Sequence, residues 1–370
     1  MVAHLAHIVG RANIQHLSLI GLSKNVGKTT TTNHLLETLI SERLYRPEEL
    51  ALTSLGLDGE ATDALTGLPK PRYAPQAGVL VATTAKLLQQ AESEGVLIER
   101  LQQLPGRTAL GPVILARILR PGHIIIAGPT LLRDLRSSLN QFRVLGAHLG
   151  IVDGAINRLG VAASNITDAC ILCTGASAGA TPELVARRTA NVLARLSIQQ
   201  TQWIDAYRKH TLSARLYMLN AGSEDTLECF SNAIEPTSEA CWVATHMQTH
   251  QEPIFVLHGA LTEELSRALL VHLPAKNSLS HAELIVEDST KIFCHSVVLQ
   301  RLSARGLDIR VADPVHILAM TINPYAPEYA CSSQQLLDAL LKELPSKCPP
   351  IIDAVAGYYH GEDRVTPERI

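Results

Sequence analysis

The stretch GLSKNVGKTTTTNHLLETLI, residues 21–40, constrains the fold more than any other part of the chain. A short apolar run at residues 16–22 leads into it, and leucine and isoleucine recur at helical spacing over residues 35–40. The pattern predicts a buried strand, a glycine loop and an amphipathic helix, in that order. Loops of this kind bind phosphate, because their backbone N–H groups and the positive end of the helix dipole attract anions. The stretch therefore predicts a phosphate-binding loop within a parallel α/β sheet.

The loop has an unusual spacing. The common pattern places four residues between the first glycine and Gly-Lys-Thr, whereas five residues separate Gly21 from Gly27. We expect Gly27 to permit close backbone approach, Lys28 to reach the outer phosphates as a catalytic residue, and Thr29 to bind magnesium. The predicted nucleotide-binding residues are Gly21, Ser23, Lys24, Asn25, Val26, Gly27, Lys28, Thr29 and Thr30.

This spacing resembles the loops of dethiobiotin synthetase and of the cobyric-acid and cobyrinic-acid amide synthases. The fragment Asn25-Val26-Gly27-Lys28 is similar to the cobyric-acid form, in which a threonine usually stands at the place of Leu22. These proteins share a P-loop branch with MinD and the signal-recognition GTPases. MinD-type ATPases insert a further loop lysine across a dimer, and Lys24 resembles it although it lies one residue closer to Gly27. For Lys24, a contact across a homodimer, a solvent-facing position and a phosphate-facing position all stay open.

The same resemblance suggests which carboxylates face the metal. In those synthetases a strand ends in Glu-Gly-Ala-Gly, and Asp153-Gly154-Ala155 resembles that strand end. We therefore expect Asp153 to face Mg²⁺, through a water if needed, because magnesium keeps several of its waters. Asp58, in LGLDGEATD, falls where this branch carries a switch that senses the γ-phosphate. It is predicted to bind the metal through water or to orient the attacking water, whereas Glu60 fits a solvated acidic turn nearly as well.

Strands alternate with helices along most of the chain, which predicts mainly parallel sheets. Residues 1–200 are expected to form a P-loop nucleotide-binding domain, and a hairpin is predicted where Arg120-Pro121-Gly122 separates two β-rich runs. Residues 201–252 are polar without a clean period and are interpreted as a connecting segment. Residues 253–358 are predicted to form a second, smaller α/β unit, followed by an exposed tail at residues 359–370.

Composition excludes several classes of partner. The net charge is −3 and charged residues are 18% of the chain, without the clustered Lys and Arg that nucleic-acid binding requires. The sequence contains no uncharged apolar stretch near the roughly 20 residues of a membrane-spanning helix. Its start lacks the pattern of a signal peptide, and seven cysteines without a regular framework suit a reducing compartment. We expect a cytoplasmic protein that binds neither nucleic acid nor membrane.

Other candidate residues carry weaker patterns. Cys170 and Cys173 are three apart in a predicted strand, so they point to opposite faces and are interpreted as buried thiols. His246 and His250 are spaced four apart, but the sequence suggests no third metal ligand beside them. Residues 174–176 follow a strand, and ligands collect at the carboxyl ends of strands in open α/β sheets. These three residues are therefore expected to line a pocket.

A second resemblance covers more of the chain. From about residue 16 to residue 355, five ordered blocks resemble the P-loop subunit of the lysine 5,6-aminomutase reactivase. They are GLSKNVGKTTT, LDGEATDALTGLPKPRY, VDGAINR, ITDACILCTGASAG and TINPYAP. One departure is Leu57, because that family has an arginine before the aspartate that Asp58 matches.

The resemblance implies a function for the whole chain. It implies a component that binds and hydrolyses Mg-ATP and reactivates an adenosylcobalamin-dependent lysine or ornithine aminomutase together with a second ATPase subunit. The alternative is an ATP-dependent small-molecule ligase or kinase of the dethiobiotin or cobyric-acid synthetase type. The cofactors expected are ATP and Mg²⁺. GTP stays open, although the sequence has no Asn/Thr-Lys-x-Asp motif of the kind that GTPases use for guanine.

Overall fold

The chain folds into two compact units in a computed structural model. The first unit comprises Met1–Ala190 and His316–Ile370, and the second comprises Asn191–Val315. The structure describes residues 3–56, 72–154, 159–209, 214–219, 226–230, 235–273, 281–326, 331–353, 355–356 and 359–361.

Helices and strands alternate through both units. The helices of the described residues are α1 (Ala3–Arg11), α2 (Lys28–Ser41), α3 (Ala85–Ser93), α4 (Leu132–Val144), α5 (Pro182–Leu196), α6 (Ile204–Lys209), α7 (Pro236–Thr249), α8 (Glu263–His272), α9 (Ser296–Ala304) and α10 (Ser333–Glu343). The strands are β1 (His16–Gly21), β2 (Leu50–Ser54), β3 (Leu80–Thr84), β4 (Leu97–Thr108), β5 (Gly111–Arg120), β6 (Leu149–Asp153), β7 (Ala169–Gly175), β8 (Leu216–Leu219), β9 (Thr226–Cys229), β10 (Ile254–Leu257), β11 (Ala282–Asp288), β12 (Leu307–Asp313), β13 (Ile317–Asn323), β14 (Ile351–Ile352) and β15 (Tyr359–His360).

The sheet of the first unit has the order β15-β14-β13-β7-β1-β6-β2-β3-β5-β4. Neighbouring strands from β14 to β3 are parallel, and the pairs at both ends are antiparallel. The strands at the centre of the sheet are buried on both faces, which explains their nearly continuous apolar sequences. This confirms the predicted α/β class with a mainly parallel sheet.

The predicted hairpin was placed wrongly. The structure pairs β4 with β5 instead, and residues 121–129 hold only an isolated bridge from Ile124 to Tyr73. Pro121 has no backbone N–H to donate to a neighbouring strand, which disfavours strand pairing at this position. The strand β4 lies at the edge of the sheet and shows register shifts against β5, and its polar sequence with Pro105-Gly106 does not carry a strand pattern.

The observed units differ from the predicted domain bounds. Residues 201–252 are not a plain connection, because α6, β8, β9 and α7 belong to the second unit. The predicted second unit at residues 253–358 is also divided, since β13 pairs with β7 and so returns to the first sheet. In the predicted tail, Tyr359–His360 pairs with β14, and residues 362–370 lie outside the described part of the chain. Periodicity identifies a strand but says nothing about which sheet the strand joins.

The second unit has its own sheet, in the order β12-β11-β10-β8-β9. The strands β10, β11 and β12 are parallel, whereas β8 runs antiparallel to both β10 and β9. One face of this sheet packs on residues of α7, α8 and α9 in a continuous apolar core. It is a smaller α/β unit, as the sequence predicts. In the part of the chain that the structure describes, no helix combines the length and the apolar character that crossing a membrane requires.

The cysteines give a direct test of this fold. We predict that iodoacetamide labels Cys229 and Cys241 in the folded protein, because both are exposed, and labels Cys170 and Cys173 only after unfolding in urea. Burial also raises the pKa of Cys173 to about 11, so little thiolate forms near neutral pH. Mass spectrometry of the labelled peptides measures both rates. Labelling of Cys170 or Cys173 as fast as that of Cys229 would contradict the buried position of β7.

Candidate functional site

The carboxyl ends of five parallel strands meet at one edge of the first sheet. The register pairs Leu19 of β1 with Asp153 of β6, and Gly21 with Cys173 of β7. The last residue of β13, Asn323, pairs with Gly175, and the end of β2 pairs with Asp153. Loops at the carboxyl ends of parallel strands are the usual ligand sites of open α/β sheets.

The segment 21–27, termed the glycine loop below, connects β1 to α2 at the centre of this edge. Its first amide, that of Leu22, donates to the carbonyl of Cys173 at 3.0 Å and so continues the pairing with β7. Asn25 and Gly27 have positive φ angles of 58° and 86°, which turn the chain sharply before the helix. Val26 is buried and anchors the loop in the core.

The helix α2 begins directly after Gly27, whose carbonyl accepts from the amide of Thr31 at 2.8 Å. The first N–H groups of an α-helix have no intrahelical acceptor, so those of α2 point out of its N-terminus at the sheet edge. Together with the helix dipole they favour an anion at this position.

The side chain of Lys28 folds back over the start of the loop. A Cβ atom built on Gly21 would lie 2.8 Å from Nζ of Lys28 and 2.9 Å from Cγ2 of Val26. Gly21 therefore leaves room for the lysine to lie against the backbone. This places a cationic group at the same helix N-terminus.

Two residues that the sequence analysis did not single out hold the glycine loop. The hydroxyl of Ser177 donates to the carbonyl of Lys24 at 2.6 Å and lies 3.2 Å from the hydroxyl of Ser23. The side-chain amide of Asn323 donates to the carbonyl of Asn25 at 2.8 Å. Ser177 and Asn323 both belong to sequence blocks that carry the reactivase resemblance, but nothing local in those blocks indicates a contact with residues 23–25.

The predicted metal ligands Thr29 and Asp153 lie together. The hydroxyl of Thr29 donates to Oδ2 of Asp153 at 3.4 Å, which is long for a hydrogen bond. Asp153 is only 6% exposed. The phenol of Tyr73 donates to the same Oδ2 atom in a short contact. Two hydroxyl groups thus converge on one buried carboxylate oxygen beside the start of α2.

Tyr73 is a further residue that the sequence analysis missed. Its backbone exchanges two hydrogen bonds with Ile124, at 3.0 and 2.9 Å. The residues on either side of it are held by Asn33 of α2, whose amide donates to the carbonyl of Arg72 at 2.8 Å and accepts from the amide of Ala74 at 3.1 Å. Tyr73 follows no strand or helix pattern. It is the last residue of the block LDGEATDALTGLPKPRY, but nothing local in that block indicates its contact with Asp153.

The other predicted loop residues have less defined roles. Lys24, Asn25 and Thr30 are exposed. Asp58 and Glu60 lie outside the described residues, so the structure neither supports nor contradicts their predicted roles.

The predicted pocket residues 174–176 are buried beneath the edge. The hydroxyl of Thr174 lies 2.8 Å from that of Thr189, so it serves packing within the unit. A Cβ atom on Gly175 would lie 2.4 Å from the carbonyl oxygen of Asn323, so this glycine permits two strands to approach closely.

His246 makes contacts within the protein on both sides of its ring. The ring nitrogens of His246 lie 2.7 Å from the carbonyl oxygen of Trp242 and 2.9 Å from the carboxylate of Glu228. Among the described residues, no group of three or more His, Cys, Asp and Glu side chains could hold a metal ion. Within the part of the chain that the structure describes, a metal at the sheet edge would therefore need ligands in addition to the acidic and imidazole groups found there.

Comparisons of this chain with protein-family models, with curated proteins and with solved structures found no match.

The conformation of Gly27 generates a stability prediction. We expect Gly27→Ala to lower the free energy of unfolding by about 1–2 kcal/mol, because alanine is disfavoured at positive φ. The new Cβ would also lie 3.3 Å from Cβ of Asn323. Gly146→Ala is the matched control, because Gly146 has a φ of 93° and open space around it. Urea unfolding followed by circular dichroism compares the two, and a smaller loss for Gly27→Ala than for Gly146→Ala would contradict the contact with Asn323.

Proposed function

We propose that this protein is a P-loop ATPase that binds Mg-ATP at the glycine loop. One observation carries the proposal: Lys28, Thr29 and Asp153 converge at the N-terminus of α2. A cation, a hydroxyl and a carboxylate beside helix amides that have no intrahelical acceptor form the set that phosphoryl-transfer sites use for phosphate and magnesium.

The residues at this edge fit Mg²⁺ better than a metal held wholly by protein. Magnesium is usually bound by one or two carboxylates together with substrate phosphates and waters. Asp153 supplies such a carboxylate, and Thr29 supplies the hydroxyl beside it. When bound, the cation neutralises charge on the phosphate chain, which favours transfer of the terminal phosphoryl group.

The protein's own groups have separable roles in this proposal. The amides of the glycine loop and of the first turn of α2 bind the phosphate oxygens, and the ammonium group of Lys28 stabilises the charge that develops on the terminal phosphate. Thr29 and Asp153 hold the metal. Asp58 is proposed to orient the attacking water, on the basis of its place in the sequence alone. ATP is the proposed nucleotide because the sequence lacks the guanine-recognition motif.

For the biological role, we propose a cytoplasmic component of a system that reactivates an adenosylcobalamin-dependent lysine or ornithine aminomutase. The support is the resemblance of five ordered sequence blocks to the P-loop subunit of such a reactivase. Nucleotide binding and hydrolysis would shift the protein between two states with different affinity for the aminomutase, so that spent cofactor is exchanged. A second ATPase subunit is the proposed companion.

Nucleotide binding predicts a change in thermal stability. At a Mg-ATP concentration about 100 times the dissociation constant, one site adds about 2.7 kcal/mol to stability. At roughly 2–4 °C per kcal/mol, the melting temperature should rise by several degrees. Lys28→Ala should lose most of this shift, because it removes the cation that contacts the phosphates. Differential scanning fluorimetry with ATP, ADP and GTP, each with Mg²⁺, measures the effect.

The control for that experiment is Lys342→Ala, which removes an exposed lysine from α10. It should keep the full shift, and Lys28→Ala without ligand should melt near the wild type. Unchanged melting of the wild type with all three nucleotides would refute a nucleotide site at the glycine loop.

The proposed biological role predicts recovery of a damaged enzyme. A lysine 5,6-aminomutase inactivated by its own turnover is mixed with ATP, Mg²⁺ and fresh adenosylcobalamin. Adding this chain, with a companion ATPase subunit, should restore aminomutase activity, because the nucleotide cycle releases the damaged cobalamin. The initial rate of the aminomutase before and after the addition is the measurement.

Lys28→Ala in place of the wild-type chain is the matched control and should give no recovery. Equal recovery without this chain, or with the Lys28→Ala variant, would contradict the reactivase role. An ATPase rate that stays unchanged when the aminomutase is added, but rises when a small carboxylate or amine acceptor is added, would favour the ligase or kinase alternative.

A further inference from the structure

The carboxylate of Asp153 belongs to a closed ring of contacts that begins and ends on α2. Thr29 of this helix donates to Oδ2 of Asp153, and Tyr73 donates to the same oxygen. One helical turn further along α2, Asn33 bonds the backbone on both sides of Tyr73. Thr29 and Asn33 are four residues apart, so the same face of the helix supplies both ends of the ring.

Tyr73 is fixed on a second side as well. Its backbone pairs with Ile124 in both directions, and both residues are buried. The backbone of Tyr73 is therefore held by Asn33 of α2 and by Ile124. Its phenol reaches Asp153 from this fixed position. Packing of the aromatic ring of Tyr73 would not by itself require its hydroxyl to contact the carboxylate of Asp153.

We propose that Tyr73 is a positioning residue for the metal, and that it acts by holding the carboxylate of Asp153 toward Thr29. This inference rests on the proposed function, because it assumes that Asp153 and Thr29 bind Mg²⁺ with the nucleotide. Partners that orient a metal-binding carboxylate are commonly worth about 10–100-fold in metal affinity. Asn33 acts one step further out, by fixing the backbone that carries the phenol.

The test separates metal binding from nucleotide binding. The affinity of a fluorescent ATP analogue is measured as a function of Mg²⁺ concentration and again in excess EDTA, for the wild type and for Tyr73→Phe. The variant keeps the ring and loses only the hydroxyl. We expect it to raise the Mg²⁺ concentration for half-maximal binding by at least about tenfold and to leave the affinity in EDTA unchanged. Asp153→Asn is the reference for loss of the metal ligand itself.

Two further variants exclude a general structural effect. Tyr45→Phe alters a half-buried tyrosine that follows the far end of α2, and it should leave the Mg²⁺ dependence as in the wild type. Asn33→Ala should shift the Mg²⁺ dependence in the same direction as Tyr73→Phe. Combined with Tyr73→Phe it should add little, because both changes remove the same constraint.

The outcomes distinguish this inference from the proposed function. If the wild type shows Mg²⁺-dependent binding and Tyr73→Phe matches it, the positioning role is wrong and the nucleotide site stands. Equal losses with Mg²⁺ and in EDTA would also overturn it, since they indicate a disturbed loop rather than a misplaced carboxylate. Absence of binding by the wild type overturns both. If Tyr73→Phe does not fold, Asn33→Ala alone decides, with the same criteria.

Discussion

The parallel pairing of β1 with β6 on one side and with β7 on the other is the constraint on which the candidate site depends. It aligns Leu19 with Asp153 and Gly21 with Cys173, so a carboxylate stands beside the strand that leads into the glycine loop. A shift of one residue in either pairing would move its partner by about 3.3 Å and turn its side chain to the other face. The nearly continuous apolar sequences of these strands keep them buried, and their burial keeps the loop residues at one edge.

The glycine loop is short, but residues far along the chain hold its shape. Asn323 lies at the loop only because the chain returns from the second unit and pairs β13 with β7. Its amide then holds the carbonyl of Asn25, while its Cβ lies beside the space that a side chain at Gly27 would need. The loop conformation is therefore a property of the completed first sheet, although its own sequence reads as an independent motif.

The sequence predicts what is local and misses what is distant. The strand, loop and helix around Lys28 follow from apolar spacing and glycine placement, and the structure places Thr29 beside Asp153. Periodicity could not show that β13 returns to the first sheet, because strands of either unit have the same apolar pattern. The strand β4 was also not predicted, because its sequence is polar. A strand that pairs on one side only and has an exposed face requires few apolar residues. Tyr73 was missed because only its contact with Asp153, 80 residues later in the chain, distinguishes it.

The buried position of Asp153 connects stability to binding. Moving a carboxylate out of water costs several kcal/mol unless nearby groups compensate. The hydroxyls of Tyr73 and Thr29 compensate in part, and Lys28 adds a positive charge at the same edge. A divalent cation would stabilise the carboxylate further, and any ligand that binds only the folded state raises its stability. The same burial that makes Asp153 costly in the free protein would therefore increase what a bound magnesium nucleotide, as proposed, contributes to the stability of the fold.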